Sequence, residues 1–288
     1  MKEQQVKWVI LSGLALIWGS SFILIKKGLI GLDPFQLGSL RIIFSAVFLL
    51  IIGFKSLSEI RQHQWKYVAL TSMFGNFLPA YLFAIAETKV DSSICSILNS
   101  LTPLNTLIIG AVIFGLNFKR TQLIGILTGL TGTLVLIFGG KAHAGSGDNT
   151  FSFFVLIATV CYATNVNLVK KYLSDVKPLS ISTGNFLVML VPATLILCLT
   201  DFGTKIHLPA TYNAIMYIAI LGVVGTGIAT IVFYRLIQIS SPVFASSVTY
   251  LIPVVAFMWG MFDNEMLTSL QFSGAFIILI GVYLANKK

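Results

Sequence analysis

The chain is short of charge, and shorter still of acid. Only 10% of its 288 residues are charged, while 56% are hydrophobic. A soluble domain carries roughly a quarter charged residues, so a water-soluble core protein is excluded and an integral membrane protein is implied. Asp and Glu together number 10, and none falls in the middle of an apolar segment. Glu87, near a segment end, comes closest. Proton-coupled carriers place a titratable acid or His in the pathway, so a buried carboxylate relay is not expected. His63, His143 and His207 all lie in loops. There is no HExxH motif, no acidic cluster for a metal–diphosphate site, and no Ser–His or paired-Asp arrangement, which argues against a membrane enzyme. Cys95, Cys161 and Cys198 have no CxxC spacing and no neighbouring His. They read as small buried hydrophobes. No cofactor or metal is expected. The formal charge of +9 reports orientation and contact with anionic lipid in such a chain, not nucleic acid.

What is present is a series of apolar segments near the length that crosses a bilayer as a helix. They fall at residues 8–28, 35–54, 67–87, 92–115, 121–140, 151–171, 179–200, 212–235, 242–262 and 270–286. Barrel strands would be shorter and would alternate. The first segment follows Lys2 and Lys7 like a signal peptide, but no small-residue cleavage site follows it, so it reads as a retained span. Pro34, Pro178 and Pro242 stand just after loops, where a helix start loses no hydrogen bond to proline.

The two halves repeat. Tyr67, Gly75, Phe83 and Pro103 recur 150 residues on as Tyr217, Gly225, Phe233 and Pro253. Lys26, Lys27 and Pro34 recur at an offset of 144 as Lys170, Lys171 and Pro178. Gln122, Gly125 and Gly132 recur at 149 as Gln271, Gly274 and Gly281. The division is residues 1–140, a polar linker over 141–150, and residues 151–288. Five crossings per half is an odd number, so the second copy enters from the opposite side. The fold class expected is an all-α polytopic membrane protein with ten transmembrane helices as two inverted five-helix repeats, an arrangement that secondary transporters use to alternate access.

Basic residues set the orientation. Thirteen of the 19, from Lys2 and Lys7 to Lys287 and Lys288, fall on one side. Lys26, Lys27, Lys89, Lys141 and Lys205 fall on the other, and Arg41 is left inside a span. Both termini are therefore expected in the cytoplasm, with the chain multi-pass in the cell (inner or plasma) membrane.

Polar side chains inside spans are costly unless partnered or wetted, so they mark the candidate site. Trp18 and Ser21 stand in the first span, and Tyr162 and Asn165 stand at the repeat-related positions of the sixth. Asn76 lies in the third, Asn99 just before Pro103 in the fourth, Tyr234 in the eighth, and Tyr250 just before Pro253 in the ninth. Prolines within spans permit kinks, and Pro103 and Pro253 at matched places suggest gating around a central cavity. The bland alternative is helix-to-helix hydrogen bonding. Arg41 admits two readings. It is read as chiefly a structural or gating residue paired with Asp33, Asp91, Glu265 or helix-end carbonyls, the alternative being an anion or carboxylate contact in the substrate path.

Trp18-Gly19-Ser20-Ser21-Phe22, Pro34 followed by Arg41, the Ser- and Ala-rich approach to Pro253, and Glu265 followed by Gln271 and Gly274 together resemble the drug/metabolite transporter superfamily. The nearest branch is the EamA-domain permeases. The resemblance covers nearly the whole chain. It implies ten spans, cytoplasmic ends, a central cavity and transport of small metabolites, often amino acids and often outward. The chain departs from the pattern at Leu116-Asn117, where the second half has Glu265, and at Tyr162-Ala163-Thr164-Asn165, where the first half has Trp18-Gly19-Ser20-Ser21. The cavity should therefore have two unlike walls. The expected partners are a small-molecule substrate and the lipid bilayer, with homodimerisation left open. A non-transporting sensor or scaffold is the competing reading, weakened by loops too short to form a docking domain.

Overall fold

A computed structural model describes residues 3–90, 92–138, 149–262 and 268–286. These residues are helical, with no strand among them. The first predicted span is split into α1 (Glu3–Gly19) and α2 (Ser21–Gly28), joined at Ser20. Helix α3 (Pro34–Gly53) follows a turn built by Asp33. The Asp33 carboxylate accepts from the Phe35 and Gln36 amides, and Gln36 Oε1 accepts from the Asp33 amide. This reciprocal cap satisfies donors that a helix start leaves open.

The third predicted span runs as α4 (Trp65–Ser72), a wide π-helical turn over Met73–Phe77, and α5 (Leu78–Ala86). The fourth predicted span is broken into α6 (Ser92–Asn99) and α7 (Thr102–Val112). Helix α8 is Arg120–Phe138, α9 is Ser152–Tyr172 and α10 is Pro178–Leu199. A short α11 (Phe202–Lys205) precedes α12 (Pro209–Ile220), a second π-helical turn over Leu221–Ile228, and α13 (Ala229–Ile239). The chain closes with α14 (Pro242–Ser246), α15 (Val248–Phe262) and α16 (Ser269–Asn286).

Six described helical stretches are long and apolar enough to cross a membrane: Gln4–Gly28, Pro34–Glu59, Gln62–Ala86, Ser152–Tyr172, Pro178–Leu199 and Pro209–Ile239. Shorter apolar helices accompany them. Large apolar side chains stand outward on several, including Val47 and Ile51 on α3, Val191 and Leu195 on α10, and Phe276 and Tyr283 on α16. Continuous apolar outer faces suit hydrocarbon, not water. This is a polytopic membrane protein.

The kinks differ from expectation. Pro103 sits in the first turn of α7, so the fourth span breaks beside it, at residues 100–101. Pro253 lies inside α15, and the ninth predicted span breaks earlier, at Ser247. The two breaks are not at repeat-related residues. At this break Ser246 and Ser247 donate back to the carbonyls of Val243 and Phe244, bonds that compete with the helix ladder.

Packing between the halves is reciprocal. Helix α1 packs on α15, and α9 packs on α7; α3 packs along α10, and α8 along α16. The last pair meets backbone to backbone at glycines. A Cβ on Gly125 would come 2.7 Å from the Gly281 carbonyl, and one on Gly132 would come 2.9 Å from the Gly274 carbonyl. Gly125 and Gly132 are the repeat equivalents of Gly274 and Gly281, so the two contacts exchange the halves.

Candidate functional site

Both π-helical turns face one cavity. A π turn holds one residue more than an α turn, which turns backbone groups away from the regular ladder and often marks a functional site. At the first turn, Gly75 lies flat against the Asn165 carboxamide; a Cβ there would be 2.6 Å from Asn165 Cγ. At the second, the Gly225 carbonyl accepts from Trp18 Nε1 at 3.0 Å, and a Cβ on Gly225 would be 3.1 Å from Ser21 Oγ. Ser21 and Asn165 are repeat-related, as are Gly225 and Gly75, so the wall is built twice from one plan.

The cavity lies among residues of both halves. Its aromatic lining is Trp18, Phe22, Phe83, Tyr162, Phe186, Phe233 and Tyr234; its amides are Asn76, Asn99 and Asn165. Ser21, Thr102, Thr226, Thr230, Ser246 and Thr249 add hydroxyls, and Arg41 is the one charged side chain among the described lining residues. The rings brace one another edge to face: Trp18 meets Phe233 at 5.0 Å between centroids and Phe22 meets Phe83 at 6.0 Å, an arrangement aromatic pairs favour. The volume is about 100 Å³, the scale of a few water molecules.

Tyr234 organises one wall. It is fully buried, and its hydroxyl lies 2.6 Å from the Asn185 carboxamide and 3.4 Å from Asn76 Nδ2. With its carboxamide turned to suit all neighbours, Asn185 accepts from Tyr234 and donates to the Val68 carbonyl and Thr71 Oγ1, both at 3.0 Å. Arg41, at the repeat position of Asn185, organises the other wall. Its Nε donates to Thr226 Oγ1 at 2.7 Å.

Of the residues singled out in the sequence, the structure brings Trp18, Ser21, Asn76, Asn99, Tyr162, Asn165 and Tyr234 to this cavity. Tyr250 is elsewhere. Its ring packs on Gly129, and its hydroxyl donates to the Ile126 carbonyl at 3.0 Å, which ties α15 to α8. Arg41 reaches the cavity, not Asp33, which caps α3. Asp91 and Glu265 lie outside the described residues. Glu87 ends α5 with Oε2 accepting from Ser92 at 2.9 Å and Oε1 shielded without a partner; it does not line the cavity.

Phe22, Phe83, Phe186 and Phe233 escaped the sequence reading. Phe83 and Phe233 carried a signal, since they recur at the same offset as Gly75 and Gly225. Asn167, polar and mid-helix, is packing: its Nδ2 donates to the Thr106 and Ala163 carbonyls.

Residues 6–138 and 150–287 each match the family model described as the EamA-like transporter family. The chain belongs to the EamA-like transporter family. It is 25% identical over 282 residues to the "Uncharacterized inner membrane transporter YedA" of Escherichia coli K12, across 96% of this chain and 89% of that one. It is 28% identical over 290 residues to the "Probable amino-acid metabolite efflux pump" of the same strain, across 93% and 91%. The "Uncharacterized transporter YoaV" of Bacillus subtilis 168 is 26% identical over 277 residues, across 93% and 92%. A solved crystal structure superimposes with a TM-score of 0.74 at 16% identity, over 96% of this chain and 95% of that one; this likeness speaks to the fold alone.

Proposed function

We propose that this EamA-family protein carries small polar or amphipathic metabolites, such as amino acids, across the cell membrane by alternating access around the cavity between α1, α9 and the two π-helical turns. Transport is outward. The observation that carries the reading is the duplicated wall: Ser21 against Gly225, and Asn165 against Gly75. A site built from two repeat-related walls opens to one side or the other as the walls exchange roles. The rings would hold an apolar body, while amides and hydroxyls fix its orientation.

The reciprocal packing of α1 on α15 and α9 on α7 supports ten spans arranged as two inverted repeats, residues 1–140 and 151–288 joined by residues 141–150. The basic-residue asymmetry supports cytoplasmic termini. A relative named as an amino-acid metabolite efflux pump supports the substrate class and direction. The test is transport by purified protein in proteoliposomes, using labelled amino acids, nucleobases and sugars. Saturable flux of amino acids or similar metabolites is expected. A protein that moves none of them, yet binds a partner protein, would favour a sensor or scaffold instead.

A further inference from the structure

We propose that Arg41 holds a carboxylate of the transported molecule, so that the substrates are compact carboxylates with an apolar body. The inference rests on the carrier reading above and narrows it.

The guanidinium is anchored through Nε alone, by Thr226 Oγ1 at 2.7 Å. Neither terminal nitrogen has a partner among the described residues, and the side chain lines the cavity. A guanidinium fixed at Nε presents its two remaining faces as a planar fork. That fork matches two carboxylate oxygens and is already held in place.

The opposite wall shows what a completed arrangement looks like. There the repeat-related residue is Asn185, closed on by the Tyr234 hydroxyl at 2.6 Å. The repeat equivalent of Tyr234 is Ala84. At this repeat position the chain therefore supplies a polar group to the amide and an alanine beside the cation, whose described hydrogen-bond partner is Thr226 alone. A charge among apolar groups needs a counter-charge, and among the described lining residues there is no acid. Glu87 lies within electrostatic range of Arg41 without closing to an ion pair.

A second orphan lines the same cavity. Asn165 is 2% exposed, and its Oδ1 has no hydrogen-bond partner among the described residues. Turned off Gly75 toward the cavity, it would accept an N–H or O–H from the same ligand. Trp18, Phe83 and Tyr162 supply faces for the apolar body, and these same faces can take an ammonium group where the ligand has one. An α-amino acid fits this pattern; so does a simple carboxylic acid.

The test compares ligands on the unmodified full chain in nanodiscs, by calorimetry. Leucine and 4-methylpentanoate are set against leucinamide and 3-methylbutylamine, which keep the body and lose the carboxylate. Phenylalanine, 3-phenylpropanoate, phenylalaninamide and phenethylamine form a second set. Inorganic phosphate and phosphatidylglycerol are further arms. In at least one set the carboxylates should bind tenfold or more tighter than their partners. Arg41→Gln should erase that preference, and Arg41→Lys should keep part of it. Equal binding by amides or amines, binding by no carboxylate, or binding of phosphate or the lipid in their place would overturn the proposal. If Arg41→Gln fails to fold, the ligand comparison on the unmodified chain still decides. Carboxylate binding without flux in proteoliposomes would contradict the carrier reading and leave Arg41 assigned. Flux of an uncharged molecule, unchanged by Arg41→Gln, would do the reverse.

Discussion

Asn165 rests on Gly75 with no room for a methyl group between them: an added Cβ would stand 2.6 Å from the carboxamide carbon. The amide is held there while the Tyr234 hydroxyl stands beside it. Gly75→Ala should therefore push Asn165 off the cavity wall, at an overpacking cost of about 1–3 kcal/mol. Gly225→Ala meets the Leu221 side chain at 2.9 Å and Ser21 Oγ at 3.1 Å, groups with more freedom to give. Its effect should be smaller. Thermal unfolding of both variants in detergent, with substrate affinity measured alongside, gives the order.

The glycine seam between α8 and α16 should tolerate added side chains poorly. A Cβ on Gly281 would sit 2.4 Å from the Gly129 amide nitrogen and 2.6 Å from its Cα. Backbone cannot step aside as a side chain can, so Gly281→Ala forces the helices apart. Gly13 in α1 is the control, since nothing lies within 4 Å of a Cβ there. Gly13→Ala should be neutral or gain up to about 1 kcal/mol from helix propensity. Fluorescence-detected gel filtration should show Gly281→Ala losing most of its monodisperse peak and Gly13→Ala keeping it.

Tyr234→Phe removes the hydroxyl that Asn185 and Asn76 share. A buried amide left without its partner costs about 1–3 kcal/mol, so this variant should melt well below the parent. Tyr250→Phe loses one bond to a backbone carbonyl, about 0.5–1.5 kcal/mol. Substrate affinity should change in the first and hold in the second. A Tyr250→Phe protein that binds substrate poorly would return that residue to the site.

Much of this was legible in the sequence, for a physical reason. Span existence follows from hydropathy, and the repeat offsets of 144, 149 and 150 pointed to Ser21 with Asn165 and to Gly75 with Gly225. Polar side chains in hydrocarbon are few, so most of those flagged reached the cavity. What failed was rotation about the helix axis. The break falls at Ser247 and not at Pro253, Tyr250 turns to α8, and no hydropathy pattern records where a serine will bond its own backbone. The phenylalanines were hidden by numbers, since 22 of them give no contrast between a ring facing outward and a ring lining the cavity.

One acid outside the spans gives a pH dependence. The Asp201 carboxylate is held below its usual range first by Lys205, whose Nζ donates at 2.6 Å, and also by Gln36 Nε2 at 2.7 Å. A lowered folded value means the bonds stabilise the fold above the unfolded pKa of about 3.9 and are lost as pH falls through the folded value. Asp201→Asn should thus melt below the parent at pH 7, with the gap closing toward pH 3. A gap that widens in acid would mean the carboxylate is not the stabilising form.

The central claim is that one cavity serves both sides of the membrane in turn. Ser21, which lines it and is 7% exposed, offers the most direct probe. On a background with Cys95, Cys161 and Cys198 replaced, Ser21→Cys is treated with an impermeant thiol reagent, once from outside intact cells and once from inside-out vesicles. The account predicts labelling from both sides, slowed from both by a bound substrate. Labelling from one side only, whatever ligand is present, would show a fixed pocket and contradict it.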